Sequence, residues 1–257
     1  MSLKFIILGC GSSMGVPRTD GFFGKCNPKI KKNYRSRCSA IITSKNSNTL
    51  IDTSPDLRDQ LLKHKIKNID RVLYSHFHAD QTHGINDLRI FYLKNKRKIP
   101  IYTDTFTKRK LLSNFKYCFK NTKSYPPIAT TKILKKDNVF IDNNVKIKIK
   151  SIKVRHGDVE CNAFIINNKC AYISDVNKIY NKDLKYFKNL DFFVIDCLRY
   201  KRHPSHFNLE EAINLIKFLK PKKAILTNMH SDLDYKTLKN KLPQNIQPAY
   251  DGMSFNL

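Results

Sequence analysis

The sequence predicts an α/β fold in which two β-sheets pack together with helices outside. Strand-like runs alternate with helical patterns in both halves of the chain, and a His or Asp repeatedly stands where a predicted strand ends. Two packed sheets would bring those strand ends to one rim, where ligands gather in α/β proteins. With 257 residues, no internal repeat and no low-complexity linker, residues 1–257 are expected to form one domain.

The elements follow in order. Residues 4–8, 40–43 and 49–52 are β-rich. Ser54-Pro55-Asp56 supplies an N-cap, a proline at the first helical position and an acid in the first turn, so a helix through about Lys63 is expected. Residues 71–74 form a short strand entering a histidine cluster, residues 86–94 a helix and residues 99–103 another strand. Residues 145–154 alternate apolar residues with lysines, with one slip at Ser151, so they predict a half-buried strand whose end delivers His156. Residues 161–166 and 170–174 form a hairpin across Asn167-Asn168-Lys169 that delivers Asp175. A buried strand at 192–196, an amphipathic helix at 209–219 and a strand at 223–227 complete the series.

Composition narrows the function classes. Lys and Arg number 48 against 21 Asp and Glu, a net charge of +27. RNA is one partner such a charge suggests. The lysines are spread along the chain, however, and no RGG tract or RNP-like motif occurs, so nucleic acid is the less favoured partner. The positive field would still attract a phosphorylated substrate. No run of about 18 apolar residues exists, so no membrane partner is expected. Residues 3–10 fit a strand entering a glycine turn better than a signal segment, which places the protein in the cytoplasm. The seven cysteines include no CxxC pair, which argues against a zinc ribbon or a disulfide framework. Cys10, beside the glycine turn, is the one singled out.

The chemistry concentrates in Ser75-His76-Phe77-His78-Ala79-Asp80-Gln81-Thr82-His83-Gly84. Two histidines at i and i+2 and an acid at i+4, on a turn after a strand, can converge on one or two metal ions. Neutral imidazole and carboxylate suit zinc, manganese or iron. Three of the eight histidines fall in this one stretch, so an incidental polar loop is a poor explanation.

This histidine motif resembles the signature of the metallo-β-lactamase superfamily, whose fold is a four-layer αβ/βα sandwich of two mixed β-sheets with helices outside. Further stretches resemble its phosphoribosyl cyclic phosphodiesterase branch, near the transfer-RNA 3′-processing endonucleases. They are Gly9-Cys10-Gly11-Ser12-Ser13 with Gly15-Val16-Pro17-Arg18, Ile51 through Arg58, His83 through Arg89, and Ala249-Tyr250-Asp251-Gly252-Met253. The resemblance implies a first metal site of His76, His78 and His156, with Asp175 bridging to a second site that uses Asp80. It implies a supporting role for Asp52, although a turn cap serves equally well for that residue. The family's accessory zinc uses clustered cysteines. Here only Cys26 and Cys38 occupy that region, so this zinc is expected to be absent. The resemblance also implies a general acid before the last helix. His206, just ahead of Asn208, is the first choice, with His203 the competitor, and Arg199 could clamp a phosphate or pair with an acid.

The second metal is where the chain departs from the pattern. Gln81 and Asn228 stand where the family has histidines. His230 could substitute if the strand continues, and His83 is a weaker substitute. One tight zinc or manganese ion is expected at His76, His78, His156 and Asp175, with a second site from Asp80, Asp175 and His230 weak or empty. Gln81 and Asn228 are alternate ligands. The expected activity is hydrolysis of a small phosphate ester, cyclic esters included, by metal-activated hydroxide, with Asp80 and His206 catalytic. The alternatives are an RNA-processing endonuclease, a thioester or lactone hydrolase, and a metal-poor relic acting as sensor or scaffold. A homodimer is compatible with the sequence.

Overall fold

The computed structural model describes residues 3–45, 47–123, 125–142 and 145–257. The first half runs β1 (Lys4–Gly9), β2 (Ser39–Thr43), β3 (Asn48–Ile51), α1 (Leu57–Lys63), β4 (Arg71–Leu73), α2 (Ala79–Thr82), α3 (Arg89–Asn95), β5 (Ile99–Thr103), α4 (Thr105–Asn114), α5 (Lys116–Phe119) and β6 (Ala129–Ile133). The second runs β7 (Asp137–Asp142), β8 (Val145–His156), β9 (Val159–Ile166), β10 (Cys170–Ile173), β11 (Lys178–Ile179), β12 (Phe192–Asp196), α6 (Leu209–Leu219), β13 (Lys223–Thr227), α7 (Tyr235–Lys241), β14 (Ile246–Pro248) and β15 (Ser254–Asn256).

Two mixed sheets result. The first has the order β15-β1-β2-β3-β4-β5-β6, and the second β11-β8-β9-β10-β12-β13-β14 with β7 also paired to β8. Each sheet begins antiparallel and ends parallel: β3 through β6 run parallel, as do β10, β12, β13 and β14. Parallel strands are covered on both faces, and β10, β12 and β13 accordingly read as almost unbroken apolar runs. In β1 the two faces separate cleanly. Phe5 and Ile7 join the core shared with the second sheet, while Ile6 and Leu8 join a core with Leu57 and Leu61 of α1 and Phe91 of α3. This is the αβ/βα sandwich: sheets face to face, helices outside.

Local sequence explains the elements that deliver the site. Asn167 and Asn168 have φ of 51° and 54°, as a tight hairpin turn between β9 and β10 requires. In β8 the buried positions are Ile147 and Ile149, then Ile152, Val154 and His156. The change of parity at Ser151 is what turns His156 inward. Asn208 caps α6 through Glu211, with a reciprocal capping box.

One expectation needs correction. Helix α1 begins at Leu57, two residues later than Ser54-Pro55-Asp56 suggested. Ser54 instead makes a turn, accepting from the Asp56 amide at 3.2 Å. The Asp56 carboxylate is taken by the backbone amide and guanidinium of Arg37, both at 2.8 Å, so it does not serve the helix. Among the described residues, no helix is long and apolar enough to cross a membrane.

Candidate metal centre

The histidine turn leaves β4 and is pinned from both sides. The Ser75 amide donates to Asp52 Oδ1 at 2.7 Å, and its hydroxyl donates to Asp52 Oδ2 at 2.8 Å. Asp52 is fully buried with φ of 60°. Asn162 of β9 donates to the Ser75 carbonyl at 2.9 Å and to Asp104 at 3.0 Å. Asp52 thus supports the loop through Ser75 and does not touch a histidine itself. Since the Ser75 hydroxyl gives its proton to Asp52, its oxygen accepts from His76 Nδ1 at 3.0 Å. That fixes the His76 tautomer and frees Nε2 as a ligand. His156 is fixed in the same way, donating from Nδ1 to the Ser205 carbonyl at 2.7 Å.

His76, His78 and His156 each place a ring nitrogen within 4.8 Å of the others. Asp175 forms a second such triplet with His156 and His206. Burial pulls His76 down to about 3, so its imidazole is neutral at ordinary pH, the form that binds metal. Burial lowers His78 as well, with His156 adding to the effect. Neutral nitrogens beside a buried carboxylate fit a divalent cation.

His206 lies beside this cluster, 4.5 Å from His156 ring to ring. Its Nδ1 sits 2.7 Å from Oδ2 of Asp196. Burial alone would lower its pKa; the Asp196 carboxylate, then Asp175 and Asp80, outweigh it and raise the imidazole to about 9. His203, the competing acid, accepts at Nδ1 from the Ser205 amide at 3.3 Å and lies 5.1 Å from His206 ring to ring. A cavity of about 250 Å³ is lined by Asp80, Asp175, Arg199, His203, His206 and His230, among others.

The remaining sequence candidates fall as follows. Gln81 and Asn228 are buried and both donate to Asp175. His230 lines the cavity, but its Nδ1 is 3.3 Å from Asp232 and it joins neither ligand triplet. His83 is exposed and lies edge-on to Phe115, away from the cluster. The Arg199 guanidinium donates to the carbonyls of Lys201 and Arg202 rather than to an acid. Cys10 is buried against Asp251; burial, then that carboxylate, keep its thiol protonated. Cys26 and Cys38 are buried, and among the described residues neither joins a ligand cluster. The partner of His206 had no assigned role in the sequence. Asp196 carried a usable signal, since it ends a buried apolar strand as Asp175 follows one.

The chain belongs to the beta-lactamase superfamily: the model of the beta-lactamase superfamily domain matches residues 47–229. Within the metallo-β-lactamase hydrolases it stands in the PhnP-like branch, near ribonuclease Z. The crystal structure of a new diphosphatase from the PhnP family superposes with a TM-score of 0.91 at 29% identity, covering 100% of this chain and 98% of that one. An octanoyltransferase of Porphyromonas gingivalis is 29% identical over 98% of this chain, which spans only 51% of that relative's length. Ribonuclease Z of Clostridium kluyveri is 31% identical over 101 residues, 38% of this chain and 28% of that relative.

Proposed function

We propose that this hydrolase is a divalent-metal phosphodiesterase acting on a small phosphate ester. The observation that carries the reading is the His206–Asp196 pair at 2.7 Å, set beside the convergent histidines at a cavity of about 250 Å³. The PhnP-family relative is a diphosphatase, which supports reaction at phosphorus. His76, His78, His156 and Asp175 would hold the ion. When bound, a divalent ion there polarises a phosphoryl oxygen and makes water nucleophilic near neutral pH.

The chain's own groups supply the rest. Asp196 accepts from Nδ1 of His206 and keeps the imidazolium stable and oriented. Nε2–H of His206 then gives its proton to the departing alkoxide, a transfer general acids make efficiently when the leaving group is basic. Asp80, in the same cavity, orients the attacking water. Arg199 lines the cavity and supplies positive charge for an anionic ester.

RNA processing is the second reading, supported by the ribonuclease Z relative and by the net charge of +27. One panel separates them: bis(p-nitrophenyl) phosphate, alkyl cyclic phosphodiesters, a thioester and a transfer-RNA precursor. Turnover of the small diesters with weak, salt-sensitive RNA binding is expected. Cleavage of the precursor alone, or of the thioester alone, would refute the proposal.

A further inference from the structure

Three carboxylates, those of Asp80, Asp175 and Asp196, converge beside the histidine cluster, and two carboxamides are set between them. Gln81 Nε2 lies 3.2 Å from Asp80 Oδ2 and 3.2 Å from Asp175 Oδ2. Asn228 Nδ2 lies 3.2 Å from Asp196 Oδ1 and 3.4 Å from Asp175 Oδ1. Each oxygen of Asp175 is therefore capped by an amide. Gln81 is 0% exposed and Asn228 is 1% exposed. The Asn228 backbone has φ of 59°, a conformation asparagine accepts more readily than most residues.

We propose, on the metal-dependent reading above, that this is a one-ion centre, in which the amide groups of Gln81 and Asn228 take the place of a second cation. A cation joining Asp80 to Asp175 would sit about 2.0–2.2 Å from an oxygen of each. The Gln81 amide nitrogen already bridges those oxygens, so ion and amide nitrogen exclude one another. Turning the amide over would set Oε1 against two carboxylates, an arrangement stable only with a cation between them. The outward position gives Oε1 no donor among the described residues. The amides bring donors but no charge. Each carboxylate oxygen accepts about two hydrogen bonds or ligands, so Asp175 keeps lone pairs free for the first ion. Asp80 then remains outside the coordination sphere, as a free carboxylate in the cavity.

The test counts ions. Apoprotein is dialysed against Zn2+ and, separately, Mn2+, and bound metal is measured by elemental analysis. Wild type should hold one tight ion of either metal. The Gln81→His, Asn228→His double variant should hold two, and its Mn2+ form should show the spin-coupled resonance of a neighbouring pair. Should the double variant not fold, Gln81→His alone decides, by gaining a second, weaker binding step in a calorimetric titration. Two tight ions in wild type would overturn the inference, as would one ion in a folded double variant or no second step in Gln81→His. No bound ion in wild type would instead overturn the metal reading on which the inference rests.

Discussion

His206 and Asp196 meet at 2.7 Å, Nδ1 to Oδ2, with the carboxylate wholly buried. The proton on the opposite nitrogen, Nε2, is what this pair controls. His206→Ala should lower turnover of alkyl phosphodiesters by about 10²–10⁴-fold, the usual worth of a general acid. Turnover of p-nitrophenyl esters should fall far less, because that leaving group departs unprotonated. Equal losses on both substrates would remove His206 from the role, and a selective loss in His203→Ala would transfer it there.

The same pair sets a pH limb. A pKa raised to about 9 keeps His206 protonated below that pH, and the proton is lost as pH rises through it. Turnover of alkyl esters should therefore decline on the alkaline side. Asp196→Asn removes the main upward influence and leaves burial opposed only by Asp175 and Asp80, so the limb should move down toward about 6.5. A pH–rate profile of the variant unchanged from wild type would exclude this positioning role.

Metal occupancy should be visible in stability. An ion bound only by the folded state at about 100 times its Kd adds about 2.7 kcal/mol. For a chain of this size that corresponds to a rise of about 5–10 °C in melting temperature. Chelator-treated protein should melt correspondingly lower and lack activity, and zinc or manganese should restore both. His76→Ala should abolish the metal-dependent rise.

Arg71 of β4 and Asp142 of β7 join the two sheets. The guanidinium donates to both carboxylate oxygens, at 2.7 and 2.5 Å, and to Thr49 at 2.9 Å. Removing one partner of such a covered pair costs about 3 kcal/mol, so Arg71→Met should lower the urea midpoint clearly. The Arg71 hydrogen bond holds the Asp142 carboxyl below its usual range. Its contribution is complete above the unfolded value of about 3.9 and is lost as pH falls through the lower folded value. The stability gap between wild type and Arg71→Met should therefore close in acid.

Gly84 ends the histidine turn with no room for a side chain. An added Cβ would lie 2.1 Å from the Ser54 carbonyl oxygen and 2.9 Å from Leu57 Cβ. Gly84→Ala should cost about 1–3 kcal/mol, as overpacking does. The displaced turn should also weaken metal binding at His76 and His78. A variant with unaltered melting temperature and affinity would contradict that placement.

What could be read from the sequence is what local order encodes. The apolar runs at 192–196 and 223–227 match β12 and β13 residue for residue, because covered parallel strands are apolar on both faces. The Asn167-Asn168 hairpin and the capped helix α6 rest on chemistry contained within a few residues. The histidine turn announces itself because two histidines and an acid stand two and four positions apart on one turn after a strand. Short edge elements such as β6, β14 and β15 were not foreseen, since they exist only by pairing with distant strands. The start of α1 was misplaced because Arg37 claims Asp56 from another part of the chain. The two carboxamides show the limit most clearly. The sequence marks Gln81 and Asn228 as departures from a family pattern. That both donate to Asp175, from positions 94 and 53 residues away, is decided by tertiary structure alone. A side-chain amide can act as donor or acceptor, and only the carboxylates folded around it determine which.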